Sequence, residues 1–392
     1  TCYRDFEYFS TGDTDGSELP VPRAINMMEQ RQFSEELRLA GKAFGDRLDY
    51  TIGAYFLDQR IEQYYHVIFF GNSNQRSGGI LNHKTWSVFA QGDYEVLDNV
   101  FITAGGRYSW EKKSARNART PQCDLDLNCT FSDTGSTTWK NFTPKIGLSW
   151  KASDDVLLYA SWTKGFRSGG YNIRTTGVNE VAGPYDEEIV KAWEAGAKTG
   201  FWDGRARVNV SVFQNKYSGL QRTVNDGLVN FIANVAEATV KGVEFEGSIL
   251  PFENLALTAS VGYLDAKYDD YILPGTTTNL AGKQLIRAPE WTYALAITHD
   301  LDLSSAGVLT SRASYYHSGK TPANDPGDYF APAYDLLDAS LTWRPVRPEG
   351  LEVALWAKNL TNEKYALTAT YVGTLFTNLY QAPPRRYGAE VT

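Results

Sequence analysis

Long apolar runs are missing from this sequence. No stretch of its 392 residues approaches the roughly 18–20 apolar residues that a membrane-crossing helix needs, which excludes a helical membrane protein. Histidine is scarce, and His66, His83, His299 and His317 fall on separate segments with no metal-ligand spacing. No Gly-x-Ser-x-Gly elbow and no phosphate loop is present. We therefore nominate no catalytic residue, no metal ligand and no cofactor, and the chain does not read as an enzyme. A hydrolase on a barrel wall would need Ser beside His; His299 and His317 are the residues it could draw on, and ordinary interfacial histidines are the commoner reading. The net charge is −8 and the pI about 5.2. A basic stripe, the footprint of nucleic-acid binding, is lacking. Cysteine is limited to three residues. Cys123 and Cys129 share one polar loop and are expected to pair in an oxidising compartment, while Cys2 is left over. A metal site at Cys123 and Cys129 has no nearby third ligand.

What the sequence has is alternation. Mean hydropathy is only −0.37, yet Val100, Ile102, Ala104, Tyr108 and Trp110 share one parity, and Thr103, Arg107, Ser109 and Glu111 the other. Side chains on a strand point to alternate faces, so one face is apolar and the other wet. After a polar loop the pattern resumes over 139–150. A turn at Lys151-Ala152-Ser153-Asp154-Asp155 follows, then Val156, Leu158, Ala160 and Trp162. In another copy Ala206, Val208, Val210 and Val212 oppose Asn209 and Ser211.

This reading gives about fifteen strands: 31–40, 48–65, 84–95, 100–112, 139–151, 155–166, 187–200, 205–220, 234–250, 255–268, 290–303, 307–318, 333–345, 351–365 and 376–392. Tight turns rich in Gly, Pro, Asn, Asp or Ser join them in pairs. The opposite connections are longer and polar, at 67–83, 113–138, 167–186, 221–233, 269–289, 319–332 and 366–375. Aromatics make up 14% of the chain, and Trp86, Trp110, Trp150, Trp162, Trp291 and Trp343 lie near strand ends, as interfacial girdles require. The expected fold is all-β: a transmembrane, antiparallel, up-and-down β-barrel. A β-propeller would show a four-strand signature per blade. A soluble all-β binding module remains the structural alternative.

Several segments carry a resemblance to a known family. Gln32-Phe33-Ser34-Glu35-Glu36-Leu37-Arg38-Leu39 looks like a mid-barrel strand of TonB-dependent outer-membrane receptors of the alphaproteobacterial type. Phe142-Thr143-Pro144-Lys145-Ile146-Gly147-Leu148, followed by the run from Leu158 through Tyr171-Asn172, is the most specific stretch. Val240-Lys241-Gly242-Val243-Glu244-Phe245-Glu246-Gly247, Lys358-Asn359-Leu360-Thr361-Asn362-Glu363-Lys364-Tyr365 and Ala382-Pro383-Pro384-Arg385-Arg386-Tyr387-Gly388 resemble later strands in the family's order.

The resemblance implies a barrel of 22 strands around an N-terminal plug, of which this chain would supply about 15 as residues 1–392, a single incomplete domain. No plug, TonB segment or leader is recognisable, and the family's closing aromatic residue is missing. It further implies residence in the outer membrane of a Gram-negative bacterium, among lipid and lipopolysaccharide. The implied function is TonB-dependent import of a bulky, scarce nutrient, ferric siderophores being the commonest, with TonB acting through the plug. A passive pore or structural barrel is the functional alternative. Inward-facing Arg107, Lys145, Glu194, Lys198, Arg207, Arg312 and Lys358 could shape ligand passage, and in the family such wall charges more often dock the plug. The connection 167–186 is the candidate ligand contact, since Arg167, Tyr171, Asn172 and Arg174 combine charge and an aromatic ring suited to an anionic chelate.

Overall fold

Alternation is expressed as one large antiparallel sheet in the computed structural model of the chain. The structure describes residues 1–13, 23–68, 74–119, 122–124, 128–131, 133–173, 183–226, 229–372 and 376–392. Its strands are β1 (Cys2–Asp13), β2 (Arg23–Ala43), β3 (Leu48–Ile68), β4 (Asn74–Leu97), β5 (Val100–Arg119), β6 (Asp133–Ser153), β7 (Val156–Arg167), β8 (Glu188–Phe201), β9 (Ala206–Asp226) and β10 (Val229–Phe252). There follow β11 (Leu255–Tyr271), β12 (Trp291–Asp302), β13 (Val308–Ser318), β14 (Thr321–Pro322), β15 (Phe330–Ala331), β16 (Tyr334–Arg344), β17 (Val353–Lys358), β18 (Ala366–Val372), β19 (Phe376–Gln381) and β20 (Arg386–Val391). Sixteen strands form one sheet in chain order, from β1 through β13 and then β16, β17 and β20. The pairs β14–β15 and β18–β19 are separate two-stranded ladders within long connections. Among the described residues, helix is limited to one short turn at Ser304–Ala306.

Register assigns every side chain to a face, because residues directly opposite in an antiparallel pair share one. The apolar partners run without a break: Ile52 opposite Ala90, Ile102 opposite Leu148, Leu148 opposite Ala160, Ala195 opposite Val212, Val212 opposite Val243, Leu257 opposite Ile297, and Leu341 opposite Leu355. Val156, Leu158, Ala160, Val208, Val210 and Val212 all lie on this face. So do Trp86, Trp110, Trp150, Trp162, Trp291 and Trp343. Its large side chains are open to the surroundings, with Trp86 60% and Ile146 57% exposed. The seven inward charges expected from the sequence share the opposite face: Arg107 is opposite Phe89 and Thr143, Lys198 opposite Asn209, and Arg312 opposite Ser340.

The polar face is the concave one. Asn172, in the β7–β8 connection, accepts 2.7 Å from Asn117 on β5 and bonds Ile232 on β10. A flat sheet would hold β5 and β10 about 24 Å apart, five strand spacings of ~4.8 Å. One residue touches both only if the sheet curls around its polar face.

The strands differ from expectation at one end. The turns at the other end are tight, as at Asp98-Asn99 with Asn99 at φ 65°, a conformation asparagine tolerates. At the opposite end β3 and β4 pair out to Ile68 and Asn74, β5 and β6 to Asn117 and Asp133, and β9 and β10 to Asp226 and Val229. The connections expected over 67–83, 113–138, 221–233 and 366–375 are thus largely strand. The last expected strand, 376–392, divides into β19 and β20. A first strand, β1, was not expected at all, and it pairs with β2 over its whole length. The order ends at β1 and β20, with no ladder between them among the described residues.

Candidate functional site

The polar face lines a concave wall whose charged groups hold each other in place. Arg107 sits over the rings of Tyr55 and Phe89, 5.3 and 5.7 Å from their centroids. Tyr159 donates to Glu194 at 2.7 Å, Arg312 to Thr298 at 3.1 Å, and Lys358 pairs with Asp338 at 3.0 Å. The groove lined by Val208, Phe245, Leu257, Leu295 and Tyr315 lies on the other, apolar face. It offers few polar contacts and is not the candidate site.

At the long-loop end, the segment after β7 turns back across this wall. Lys113 of β5 donates to Ser168 Oγ at 2.6 Å and to the Gly169 carbonyl at 2.7 Å. Gln221 of β9 donates through Nε2 to the carbonyls of Ser168 and Asp186, each at 3.0 Å, closing the base of the loop. Asn234 of β10 accepts from the Asp186 amide at 2.6 Å and donates to its carbonyl at 2.9 Å. Glycines make room for the crossing. A Cβ at Gly135 would come 2.5 Å from the Tyr171 ring, and one at Gly79 2.4 Å from Ile173 Cβ, so any larger residue would lift the segment off the wall.

The residues singled out from the sequence divide here. Arg167 is exposed at the end of β7. Tyr185 across the loop base is buried enough to push its phenol pKa up, an effect the Arg167 charge opposes. Tyr171 is buried against Ala115 and Trp139, with its hydroxyl 2.7 Å from Thr137 Oγ1. The Asn172 amide is spent on Ile232: Oδ1 accepts from its N–H at 2.8 Å and Nδ2 donates to its carbonyl at 3.0 Å. Arg174 lies outside the described residues. Cys123 and Cys129 are joined by a disulfide, with Cys129 Sγ packed at Gly78 of β4, and Cys2 is free and exposed.

A second tie was not visible in the sequence. Asp325, between β14 and β15, pairs with Arg222 of β9 and accepts from Tyr268 at 2.7 Å and from Tyr271 at 3.1 Å. The only sequence signal was composition: an acid in a loop, and an Arg-Thr-Val run with no apolar parity. The described residues hold no cluster of ligating side chains suited to a metal. What the wall offers instead is cationic, amide and aromatic groups at a mouth narrowed by one crossing segment.

Comparison with known proteins agrees with this architecture. A family model described as "TonB dependent receptor-like, beta-barrel" matches residues 2–360. The metal-pseudopaline receptor CntO of Pseudomonas aeruginosa is 26% identical over 223 residues, covering 54% of this chain and 30% of that receptor. The ferrichrome outer membrane transporter/phage receptor of Escherichia coli is 23% identical over 290 residues, covering 73% of this chain and 35% of that protein. Among solved structures, the ferric yersiniabactin uptake receptor FyuA from Yersinia pestis superposes with a TM-score of 0.85 at 17% identity, covering 99% of this chain and 57% of that one. The chain thus spans about a third of the curated relatives' length in these alignments, and little more than half of the solved receptor.

Proposed function

The chain belongs to the TonB-dependent receptor β-barrel family, a family of receptors rather than enzymes, and from that premise we propose that it is the larger part of an outer-membrane barrel importing a bulky metal chelate, a ferric siderophore in the first instance. The observation that carries this reading is the unbroken apolar face, edged by tryptophans, on a sheet whose concave face is polar. Lipid cannot satisfy unpaired strand edges. The free edges of β1 and β20 and the coverage of FyuA support a barrel completed by strands outside these residues, about 22 in all, around a plug through which TonB acts. The described wall charges, Arg107, Lys145 and Glu194 among them, dock that plug in this reading.

We also propose that ligand meets the segment 167–186. Arg167 is exposed and can contact an anionic chelate by charge-assisted hydrogen bonds, and Tyr171 and Asn172 hold the segment that follows it. The test is uptake of a labelled ferric chelate by cells expressing the full receptor. Uptake should stop when the proton gradient is collapsed, and Arg167→Ala should weaken binding about tenfold with surface expression unchanged. Uptake that survives the collapse would favour a passive pore.

A further inference from the structure

At the long-loop end, the connection 319–332 delivers one carboxylate to groups that two other strands supply. Arg222 of β9 donates through Nη2 to Asp325 Oδ1. The Tyr268 hydroxyl of β11 donates to the same oxygen at 2.7 Å, and that of Tyr271 to Oδ2 at 3.1 Å. Both tyrosines are fully buried, their rings edge to face with centroids 4.9 Å apart, among Ala236, Ala238 and Leu280. Apolar packing therefore places the two hydroxyls, independently of the acid they hold.

Asp325 does not fill this site. It meets the guanidinium through Nη2, while Arg222 Nε is buried without a partner. A guanidinium presents Nε and Nη as a fork that matches both oxygens of one carboxylate, and a buried donor left unmade is a cost. Among the described residues, no second carboxylate pairs with Arg222. The turn that carries Asp325 is closed on itself. Asn324 Oδ1 accepts from the amides of Asp328 and Tyr329 at 3.1 and 3.3 Å, and the Ala323 amide donates to the Tyr329 carbonyl at 2.9 Å. Because the β14–β15 ladder is separate from the sixteen-stranded sheet, this turn can leave the site without opening a barrel ladder.

We propose that Arg222, Tyr268 and Tyr271 form a binding site for a carboxylate of the imported chelate, and that Asp325 occupies this site in the resting receptor as a built-in competitor. A chelate carboxylate that reaches both Nε and Nη2 makes the bond that Asp325 leaves unmade, and the tyrosine hydroxyls pass to it from Asp325. Its arrival releases the β14–β15 hairpin from β9 and β11. The tether gives Asp325 an effective concentration on the order of millimolar, which holds off a simple monocarboxylate and yields to a chelate with several carboxylates. This rests on the import reading above and narrows its ligand to a carboxylate-bearing ferric chelate.

The test uses the full-length receptor in neutral detergent, with ferric citrate as the carboxylate probe and a neutral ferric trihydroxamate as comparator. Heat-modifiable migration confirms that each variant folds. Asp325→Asn keeps an acceptor for the tyrosines and removes the competing charge. It should bind ferric citrate about tenfold more tightly than wild type, and the trihydroxamate should gain nothing. Asp325→Asn with Arg222→Gln should lose that gain. In the wild-type receptor, saturating ferric citrate should speed amide exchange across β14 and β15 and leave the barrel ladders protected. Ferric citrate binding that Asp325→Asn leaves unchanged or weakens, including none in either protein, would overturn the proposal and make the tie a strut for the loop. Equal gains for both chelates would overturn it too, making the hairpin a steric cover. Failure of the import reading looks different: these affinities would hold while uptake by cells survived collapse of the proton gradient.

Discussion

The two ends of the sheet are built differently. At the short-turn end, strands stop where their apolar face stops, in tight connections such as Asp98-Asn99 and Asp154-Asp155. At the long-loop end, the ladders run on past the tryptophans, and connections meet distant strands: Ser168 with Lys113 of β5, Asn172 with Ile232 of β10, Asp325 with Arg222 of β9. The first end is specified by burial against an apolar medium. The second is specified by hydrogen bonds and ion pairs in a wet one, where each contact is weaker but geometry is more exacting. The two ends are thus coded in different physical terms along the same strands.

That contrast ranks what substitutions should do. The largest effect belongs to the wall. Val210→Arg places a cation on the apolar face and should cost about 2–4 kcal/mol if near the midplane, whereas Ser211→Arg, one residue on, faces the concave side and should be tolerated. Heat-modifiable migration of the two variants reads this directly, and equal folding would reverse the face assignment. Next comes Asp325→Ala. It strands Arg222 and two tyrosine hydroxyls, and because the Arg222 side chain keeps 19% exposure the loss should fall below the roughly 3–5 kcal/mol of a fully buried pair. Faster amide exchange across β14 and β15 with unchanged barrel melting is the expected result.

Asn172→Ala is smaller again. It leaves the N–H and carbonyl of Ile232 without their partner, about 1–3 kcal/mol if water cannot replace it, and should raise amide exchange at Ile232 while β5–β6 stays protected. The smallest global effect is that of Cys123→Ser with Cys129→Ser. Closing so short a loop is worth about 2–3 kcal/mol at most in the chain-entropy picture, confined to the loop itself. Protease nicking between the two positions should rise, and the melting temperature of the barrel should stay where it is.

The same contrast explains what could be read without a structure. Val208, Val210 and Val212 alternate with Asn209 and Ser211 because one side meets apolar surroundings, so β9 was legible in its lower half. Its upper half, from Gln221 to Asp226, has no apolar medium on one side alone: Gln221 and Val224 are both buried, so no parity is there to read. Ser77-Gly78-Gly79 of β4 and Thr134-Gly135-Ser136-Thr137-Thr138 of β6 are silent because small or polar residues occupy both parities, though both continue their ladders. In β1 the aromatic residues fall on both faces, Tyr3 and Phe9 on one and Phe6 and Tyr8 on the other, so no period of two emerges. Around the candidate site, the composition of 167–174 suggested contact with an anion. That Tyr171 would be buried at Gly135, and Asn172 committed to Ile232, depends on a crossing of strands far apart in the chain, and no local pattern encodes it.

The central claim is that one face of these strands meets hydrocarbon and the other water. Single nitroxide labels at successive positions from 206 to 216 on β9, in the full receptor reconstituted in bilayers, test it most directly. Accessibility to oxygen should peak at Val208, Val210 and Val212, and accessibility to a water-soluble nickel chelate at Asn209 and Ser211, with a period of two that fades toward Lys216. Accessibility without that period, or with the two sets exchanged, would contradict the account.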